Sequence, residues 1–259
     1  MTSDVDISLF VEKFESFYST AIPEKINRLR SEYPAKKSLL VDYKELERYD
    51  RELADLLIRQ PEVLINAAEL ALVQSQEVAF KTAHPETPFE PHVRFFDLPV
   101  TGLHILDIRA KNKDELITLK GIITKCHPVG AKLKVGVYQC QMCDATTRVP
   151  MINKGQSPQV CSECKRRAFK LIEEDSDFED VRQVELQELL ELPRKGTRGA
   201  TISLLLESDL VNRVAQGDTV VITGIIRLRP SQKSKTTSDE VNQSYKPSID
   251  AVYIENLSE

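Results

Sequence analysis

The chain has 259 residues, of which 41% are hydrophobic and 29% are charged, with a formal net charge of −5 at neutral pH. This length and apolar content are sufficient for one large domain or two modest ones with a buried core. The apolar runs are too short to span a bilayer and Met1 is followed by acidic residues. We therefore expect an intracellular protein in a reducing compartment, with no membrane partner.

The net charge hides an uneven distribution along the chain. Residues 1–92 carry a net charge of −6 and residues 173–192 carry −8, whereas residues 93–172 carry +8 and residues 193–259 carry +1. A strongly positive segment between two acidic ones is typical of a protein that binds a polyanion. Basic residues on solvated loops are the alternative explanation of this pattern.

The first ninety residues are predicted to form a small, acidic helical module. Apolar side chains at helical spacing predict helices over 5–19 and 22–33, and a short strand follows at 38–41. Asp50 is a predicted N-cap of the next helix, and Pro61 begins another helix that extends to about residue 80. No catalytic constellation is recognisable in this module.

A stretch rich in Pro and Thr at 82–92 predicts a linker, and from residue 93 onward the hydrophobic period changes to two. Many short strands separated by Gly and Pro, with short helices near Asp107 and Ser208, favour a small barrel of the OB type. The strand candidates are VRFFDLP, ELITLKGIITKC, LKVGVYQC, RVPMI, FKLIEE, RQVELQEL, ATISLLLE, DTVVITGIIRLR and SIDAVYIENL.

Four cysteines form the most specific motif of the chain. Cys140 and Cys143 form one Cys-x-x-Cys pair, and Cys161 and Cys164 form a second pair after seventeen intervening residues. Two such pairs can surround one Zn²⁺ tetrahedrally, so we predict one structural zinc per chain, with disulfides or four unrelated core cysteines as alternatives. Cys126, in an apolar run, is predicted to be an ordinary buried thiol. The predicted fold class is α+β in several parts: an N-terminal helical bundle, then an OB-type β-barrel carrying an inserted zinc ribbon.

Basic side chains lie near the ribbon and along a barrel strand. Lys132 and Lys134 are two residues apart on a predicted strand, so both point to the same face. Residues 165–167, Lys-Arg-Arg, directly follow the last cysteine of the motif. Cations arranged in this way contact phosphates without reading base sequence. We therefore predict DNA binding that weakens steeply with salt and shows little base preference.

Residues 229–247 form a polar stretch between two apolar strands, and this stretch carries Lys233 and Lys235. Its composition predicts a protruding hairpin or, alternatively, a solvated disordered loop. The chain has no phosphate-binding glycine motif, and none of its four histidines lies in a nucleophile setting. The sequence therefore predicts no enzyme within this chain.

Several stretches together resemble a known family. They are DYKELERYDRELADLLIRQPEVLI at 42–65, VRF at 93–95, LKGIITKCHPV at 119–129, CQMC, CSEC, FKLIEEDSDFEDVRQVELQE at 169–188, and SDLVNRVAQGDTVVITGIIR at 208–227. In this order they cover nearly the whole chain. They are similar to the N-terminal part of the minichromosome maintenance (MCM) replicative helicases, nearest to the archaeal homohexameric type.

The resemblance implies three parts: a helical bundle (1–92), a zinc ribbon (138–170), and an OB barrel (93–137 and 171–259) with a DNA-contacting hairpin near 229–247. It implies a hexamer or double hexamer around DNA, mainly single-stranded but also duplex, together with other replisome proteins as partners. ATP and magnesium would be bound only by an ATPase domain that this chain lacks. We therefore expect an N-terminal fragment of a longer, ATP-dependent DNA helicase, located in the cytoplasm or nucleoid of a prokaryote.

Within that architecture the resemblance implies roles for individual residues. Lys233 and Lys235, with Arg229 at the base of the hairpin, would contact DNA in the central channel. Lys132 and Lys134 would bind single-stranded DNA along the barrel.

The segment 187–200 matches the loop that communicates with the ATPase domain in the family, which implies that role for Gln187, Glu188 and Arg198. The archaeal pattern has a Pro-Arg pair just before the next strand, whereas this chain has Gly199-Ala200 there. This departure removes the arginine from that position.

Two other functions are compatible with the residues. A free-standing single-stranded-DNA-binding protein with an OB barrel and zinc ribbon, similar to replication protein A, would use aromatic side chains for base stacking. Few aromatic residues are present between positions 93 and 259. A purely structural assembly module would instead use its basic face to bind an acidic partner protein.

Overall fold

The computed structural model describes residues 7–83, 88–99, 103–150, 158–189, 199–230 and 244–258. Within these ranges the helices are α1 (Ile7–Thr20), α2 (Pro23–Glu32), α3 (Tyr43–Tyr49), α4 (Arg51–Arg59) and α5 (Pro61–Ala83). The strands are β1 (Ser38–Asp42), β2 (His92–Phe96), β3 (Leu116–Cys140), β4 (Thr146–Pro150), β5 (Phe169–Glu188), β6 (Thr201–Glu207), β7 (Thr219–Pro230) and β8 (Tyr245–Asn256). Short 3₁₀ turns lie at Ile105–Asp107, Ala110–Asn112 and Ser208–Leu210.

The helical module is held together by one continuous apolar core, and the predicted helices are confirmed. Phe14 and Phe17 of α1 and Leu53 and Leu57 of α4 are fully buried in this core, at the spacing of one helix face. Asp50 caps α4 as predicted, because its side chain accepts a hydrogen bond of 3.0 Å from the Leu53 amide. α3 was not predicted from the sequence. Within the described residues, no helix combines the length and hydropathy needed to cross a bilayer.

β1 and β2 form a two-stranded parallel sheet beside the helices. Their register begins with Ser38 opposite His92. Phe95 of β2 is fully buried, and its ring centroid lies 6.3 Å from that of Phe14. β2, which the sequence pattern grouped with the barrel strands, therefore pairs with β1 and packs on the helices, because its apolar side chains complete the helical core.

The remaining strands form the OB-type barrel. β3, β5, β6, β8 and β7 follow one another around the sheet, and β3 closes it by pairing antiparallel with β7 from Leu116 to Ile122. β6 and β8 pair in parallel, whereas the other neighbours are antiparallel. The fully buried side chains of Ile123, Leu204 and Ile226 lie at the centre of its core. The predicted barrel is confirmed.

β3 and β5 are much longer than the sequence pattern indicated. The candidates ELITLKGIITKC and LKVGVYQC are one strand of 25 residues. FKLIEE and RQVELQEL are likewise one strand of 20 residues, which includes the acidic run 173–177. The pairing register shifts between Cys126 and Val129 and again between Val135 and Val137, so bulges take up the Pro and Gly residues that resembled strand ends. The distal parts of β3 and β5, with β4, form a ribbon arm that carries the cysteines.

A buried charge network joins the helical module to the barrel. Arg94 of β2 is 9% exposed, and it donates a hydrogen bond of 2.5 Å to Asp209 and one of 3.2 Å to the carbonyl of Val252. Ser38 donates to the other carboxylate oxygen of Asp209 at 2.6 Å. Burial raises the pKa of Asp209, but the charge of Arg94 and these hydrogen bonds outweigh it and lower the pKa below its ordinary value. An ion pair therefore connects the two parts.

Candidate metal centre and nucleic-acid interface

The four predicted cysteines converge at the tip of the ribbon arm. Cys140 ends β3 and Cys143 follows in the next turn, while the other two lie in a second turn before β5. All four Sγ atoms lie within 4.8 Å of one another, at 3.5 Å between Cys140 and Cys164 and at 3.6 Å between Cys143 and Cys161. Sulfurs placed about 2.3 Å from a central Zn²⁺ would be about 3.8 Å apart, so the spacing suits one metal ion. All five cysteines are free, so the disulfide alternative is not supported.

Two matching turns position the sulfurs. The amide of Asp144 donates to the carbonyl of Cys140 at 2.9 Å, and the amide of Lys165 donates to the carbonyl of Cys161 at 3.1 Å. Asp144 and Lys165 both have a φ of 58°, in the left-handed region. In each turn the first cysteine also donates its amide at 2.9 Å to the carbonyl five residues later. The two Cys-x-x-Cys turns thus present their sulfurs in equivalent ways, and Lys165 has a structural part in the second turn.

The pKa values of two of the thiols are shifted in opposite directions. The backbone amide of Met142, assisted by that of Cys143, lowers the pKa of Cys140 to about 7. The amide of Ala145 lowers the pKa of Cys143, but burial and the neighbouring thiols outweigh it and raise that pKa to about 12. A positive charge among the sulfurs would offset the repulsion that raises the pKa of Cys143. The donor set therefore fits a metal ion.

The barrel lysines predicted to bind DNA are both engaged by carboxylates. Nζ of Lys132 lies 2.7 Å from Glu207 of β6, and Nζ of Lys134 contacts Glu90 in the segment before β2. The lysine side chains remain 47% and 40% exposed, so solvent reaches both. Glu90, Glu207 and Lys134 line one groove of about 520 Å³ between the helical module and the barrel. Neither carboxylate partner was predicted from the sequence.

The base of the β7–β8 hairpin is a second basic position. Arg229 of β7 stands opposite Lys246 of β8, and opposite residues of an antiparallel pair share a face. Arg229 contacts Asp250, whereas Lys246 is exposed and makes no ion pair within the described part of the chain. Tyr245, 54% exposed, stands opposite Pro230 at the same end of the hairpin. No local sequence pattern identifies Lys246 and Tyr245, because only the strand register places them beside Arg229.

Comparison with known families matches consecutive parts of this architecture. The MCM N-terminal domain matches residues 8–97, which contain the helices and β2. The MCM OB domain matches residues 104–230, which contain the strands from β3 to β7 and all the cysteines. The chain belongs to the MCM family.

Solved structures and curated proteins agree with this MCM assignment. The crystal structure of the N-terminal domain of an archaeal MCM has a TM-score of 0.76 at 27% identity, covering 96% of this chain and 99% of that one. DNA replication licensing factor mcm4-A of Xenopus laevis is 27% identical over 97% of this chain and 31% of its own length. The minichromosome maintenance protein MCM of Saccharolobus solfataricus is 26% identical over 86% of this chain and 33% of its own length. The chain thus spans about a third of the length of these two curated proteins.

Two residues given a communication role by the MCM resemblance have well-defined surroundings. Gln187 pairs with Ile122 on β3, and Glu188 ends β5 with its side chain only 8% exposed. One carboxylate oxygen of Glu188 lies 2.9 Å from Nδ1 of His104, and the other accepts a hydrogen bond of 3.1 Å from the amide of Ile105. Glu188 therefore fixes the first 3₁₀ turn against the end of β5.

The Gly199-Ala200 departure from the MCM pattern has a local reason. A Cβ atom at position 199 would lie 2.5 Å from the carbonyl oxygen of Glu188, so a side chain there would displace the backbone. The amide of Glu188 donates to the carbonyl of Ala200 at 3.0 Å, which keeps the two segments together. Arg198, Lys233 and Lys235, which also received roles from the sequence, lie outside the described residues.

Proposed function

We propose that this chain is the DNA-binding and ring-assembly region of an MCM replicative helicase in a reducing, intracellular compartment. The match of the two MCM domains, in order, carries this proposal, and the basic hairpin base formed by Arg229 and Lys246 supports it. The chain would bind DNA, mainly single-stranded, and would associate with copies of itself as a hexamer or double hexamer. Binding of ATP and magnesium, unwinding of DNA and contacts with other replisome proteins would be functions of the longer protein.

The proposed mechanism of DNA binding is electrostatic. Lysines and arginines that face the backbone neutralise phosphates and release counterions, so they add affinity without reading bases. Arg229 and Lys246 would act with Lys233 and Lys235 of the intervening segment. A ring repeats each of these contacts in every subunit. DNA bound to one subunit is at a high effective concentration beside the next subunit, so weak single contacts combine into a high overall affinity.

We further propose that the four cysteines hold one structural Zn²⁺ per chain. Four sulfur ligands fill a tetrahedral site and leave no position for a reacting water, so the ion would stabilise the fold and take no part in chemistry. The sulfurs of Cys140 and Cys161 are supplied by buried residues, which protects the ion from exchange with solvent.

The double variant Lys233→Ala/Lys235→Ala tests the hairpin. Fluorescence anisotropy with a labelled oligothymidylate should show several-fold weaker binding, and the slope of log affinity against log salt should flatten by about 0.7 per lysine. The matched control is Lys36→Ala/Lys81→Ala, which removes two cations that are 61% and 64% exposed on the helical module. Equal binding by the hairpin variant and the control would remove the hairpin from the DNA site.

Native mass spectrometry tests assembly and separates the alternatives. A mass of six or twelve chains with one zinc each supports the ring. A zinc-loaded monomer that binds DNA would favour a free-standing single-stranded-DNA-binding protein, although both matched domains are those of MCM proteins. A ring that fails to bind oligonucleotides would instead favour the structural assembly module.

A further inference from the structure

The groove between the helical module and the barrel has an excess of negative charge around one of the predicted DNA-binding lysines. Glu69 and Glu90 enter it from the helical side, while Glu179 and Glu207 enter it from β5 and β6. Lys134 lies among these four carboxylates. The other cation that lines the groove, Arg94, is paired with Asp209, so the four carboxylates repel a phosphate that approaches Lys134.

The pKa of Lys134 reflects the negative charge of the same carboxylates. Partial burial lowers the pKa of Lys134, but the hydrogen bond to Glu90 and the charges of Glu90, Glu179 and Glu69 raise it above its ordinary value. One of the three N–H groups of Lys134 is thus engaged by Glu90, and the charge of that carboxylate offsets the attraction of the lysine for phosphate. A phosphate interacts with the full charge of Lys134 only when it displaces Glu90.

Glu90 is held in place by the aromatic core of the helical module. Its backbone amide donates a hydrogen bond of 3.1 Å to the hydroxyl of Tyr33, and that hydroxyl donates one of 3.0 Å to the carbonyl of Pro88. The ring of Phe89 stacks on that of Phe80, with centroids 4.5 Å apart. The residues around Glu90 are therefore ordered before the glutamate meets the lysine, which lowers the entropic cost of the ion pair.

Glu207 is held by the barrel itself. It is the last residue of β6 and pairs with Val181 of β5. Its carboxylate lies 2.7 Å from Lys132. The two lysines are thus occupied from two directions, one by a residue of the barrel and one by a residue attached to the helical module.

We propose, on the basis of the DNA binding proposed above, that Glu90 and Glu207 compete with phosphate for Lys134 and Lys132 and so set the affinity of the barrel for single-stranded DNA. Because exposed ion pairs are weak, DNA can displace both carboxylates at a cost of about two- to fivefold in affinity per lysine.

Charge-neutral variants of the glutamates test this competition in the whole 259-residue chain. Glu90→Gln and Glu207→Gln should each tighten binding of a labelled oligothymidylate about two- to fivefold. Each should also steepen the salt dependence by about 0.7, because each frees one cation for phosphate. Glu179→Gln is the matched control: it makes the same charge change in the same groove, and Glu179 forms no ion pair with any other described residue. The control should give a smaller gain and an unchanged salt slope.

Lysine substitutions complete a double-mutant cycle. Lys132→Ala/Lys134→Ala should have a small effect in the native background and a large one in Glu90→Gln/Glu207→Gln, because the freed lysines carry the gain. An equal gain in Glu179→Gln, or a gain that survives loss of both lysines, overturns the competition, since long-range charge would then explain it. Binding that Lys233→Ala/Lys235→Ala weakens but the glutamate variants leave unchanged refutes this inference alone. No binding by any form refutes the proposed DNA binding as well.

Discussion

The barrel and the ribbon of this MCM chain share two strands but are stabilised by different forces. In the barrel, Ile123, Leu186 and Leu204 are fully buried in an aliphatic core. In the ribbon, Cys140 and Cys161 are the only buried residues within the described ranges 138–150 and 158–170. With so little apolar surface to bury, the ribbon would depend for its stability on the proposed metal ion. A continuous strand would then pass from a region stabilised by its apolar core to one stabilised by metal, and the two regions should unfold under different conditions.

Loss of a metal ligand should give the largest effect, confined to the ribbon. Cys161→Ser removes a buried ligand, and structural zinc contributes about 10–16 kcal/mol in zinc-finger peptides. Zinc content should fall from one per chain to near zero, and hydrogen exchange should show lost protection in the ribbon and retained protection in β6 and β7. Cys126→Ser, outside the metal site, is the control and should keep its zinc. Full protection of a zinc-free ribbon would show that the ribbon does not depend on metal for its stability.

A core substitution should affect the barrel and leave the ribbon's metal site intact. Leu204→Ala deletes a fully buried side chain and should lower the free energy of unfolding by about 2–5 kcal/mol. Guanidinium unfolding followed by circular dichroism measures this loss, while zinc content should stay at one per chain. Leu189→Ala, at a position that is 39% exposed, should cost about 0.5 kcal/mol or less. Zinc loss in Leu204→Ala would show that barrel and ribbon are coupled.

The junction between the helices and the barrel adds a third, polar kind of stabilisation. Arg94→Met removes the charged hydrogen bond to Asp209 and should lower the free energy of unfolding by about 1.5–3 kcal/mol. Since the folded pKa of Asp209 is lowered, its contribution is present above the unfolded pKa of about 3.9 and is lost as the pH falls through the folded value. Melting temperatures measured across acidic pH should therefore decline less steeply in Arg94→Met. An unchanged acid decline would exclude this ion pair as its source, and Asp209→Asn provides the complementary variant.

The smallest expected effect concerns a helix cap. Asp50→Ala removes the hydrogen bond to the amide of Leu53 and the ion pair with Lys13, so it should cost about 1 kcal/mol. Asp55→Ala, on the exposed face of α4, removes the same charge without removing a cap. Chemical denaturation should separate the two variants, and equal costs would contradict a capping role.

The features that could be predicted from the sequence are those whose signals are local. The convergence of the four cysteines could be predicted because two Cys-x-x-Cys turns are each complete within a few residues. The helices followed from apolar spacing and from a cap formed by Asp50 with a residue three positions away. The OB-type barrel followed from many short strands and from the family resemblance.

The remaining features depend on contacts between distant residues. Pro128 and Gly130 resemble strand ends, but Pro128 lies in a bulge and Gly130 pairs regularly with Val181, so pairing with the distant β5 keeps β3 continuous. Lys132 and Lys134 are separated from Glu207 and Glu90 by 75 and 44 residues, so no local pattern predicts those ion pairs. Lys246 is placed beside Arg229 only by the register of β7 and β8.

The ribbon arm also limits how this protein can change in length. β3 has 25 residues at about 3.3 Å each, so its tip stands at a distance fixed by residue count. Within a regularly paired stretch, deleting a single residue from one strand would turn the side chains that follow it to the opposite face. Such a stretch can therefore change in length only by even, matched insertions in both strands, in steps of roughly 6.6 Å, whereas the bulges are the places where one strand can hold an unmatched residue.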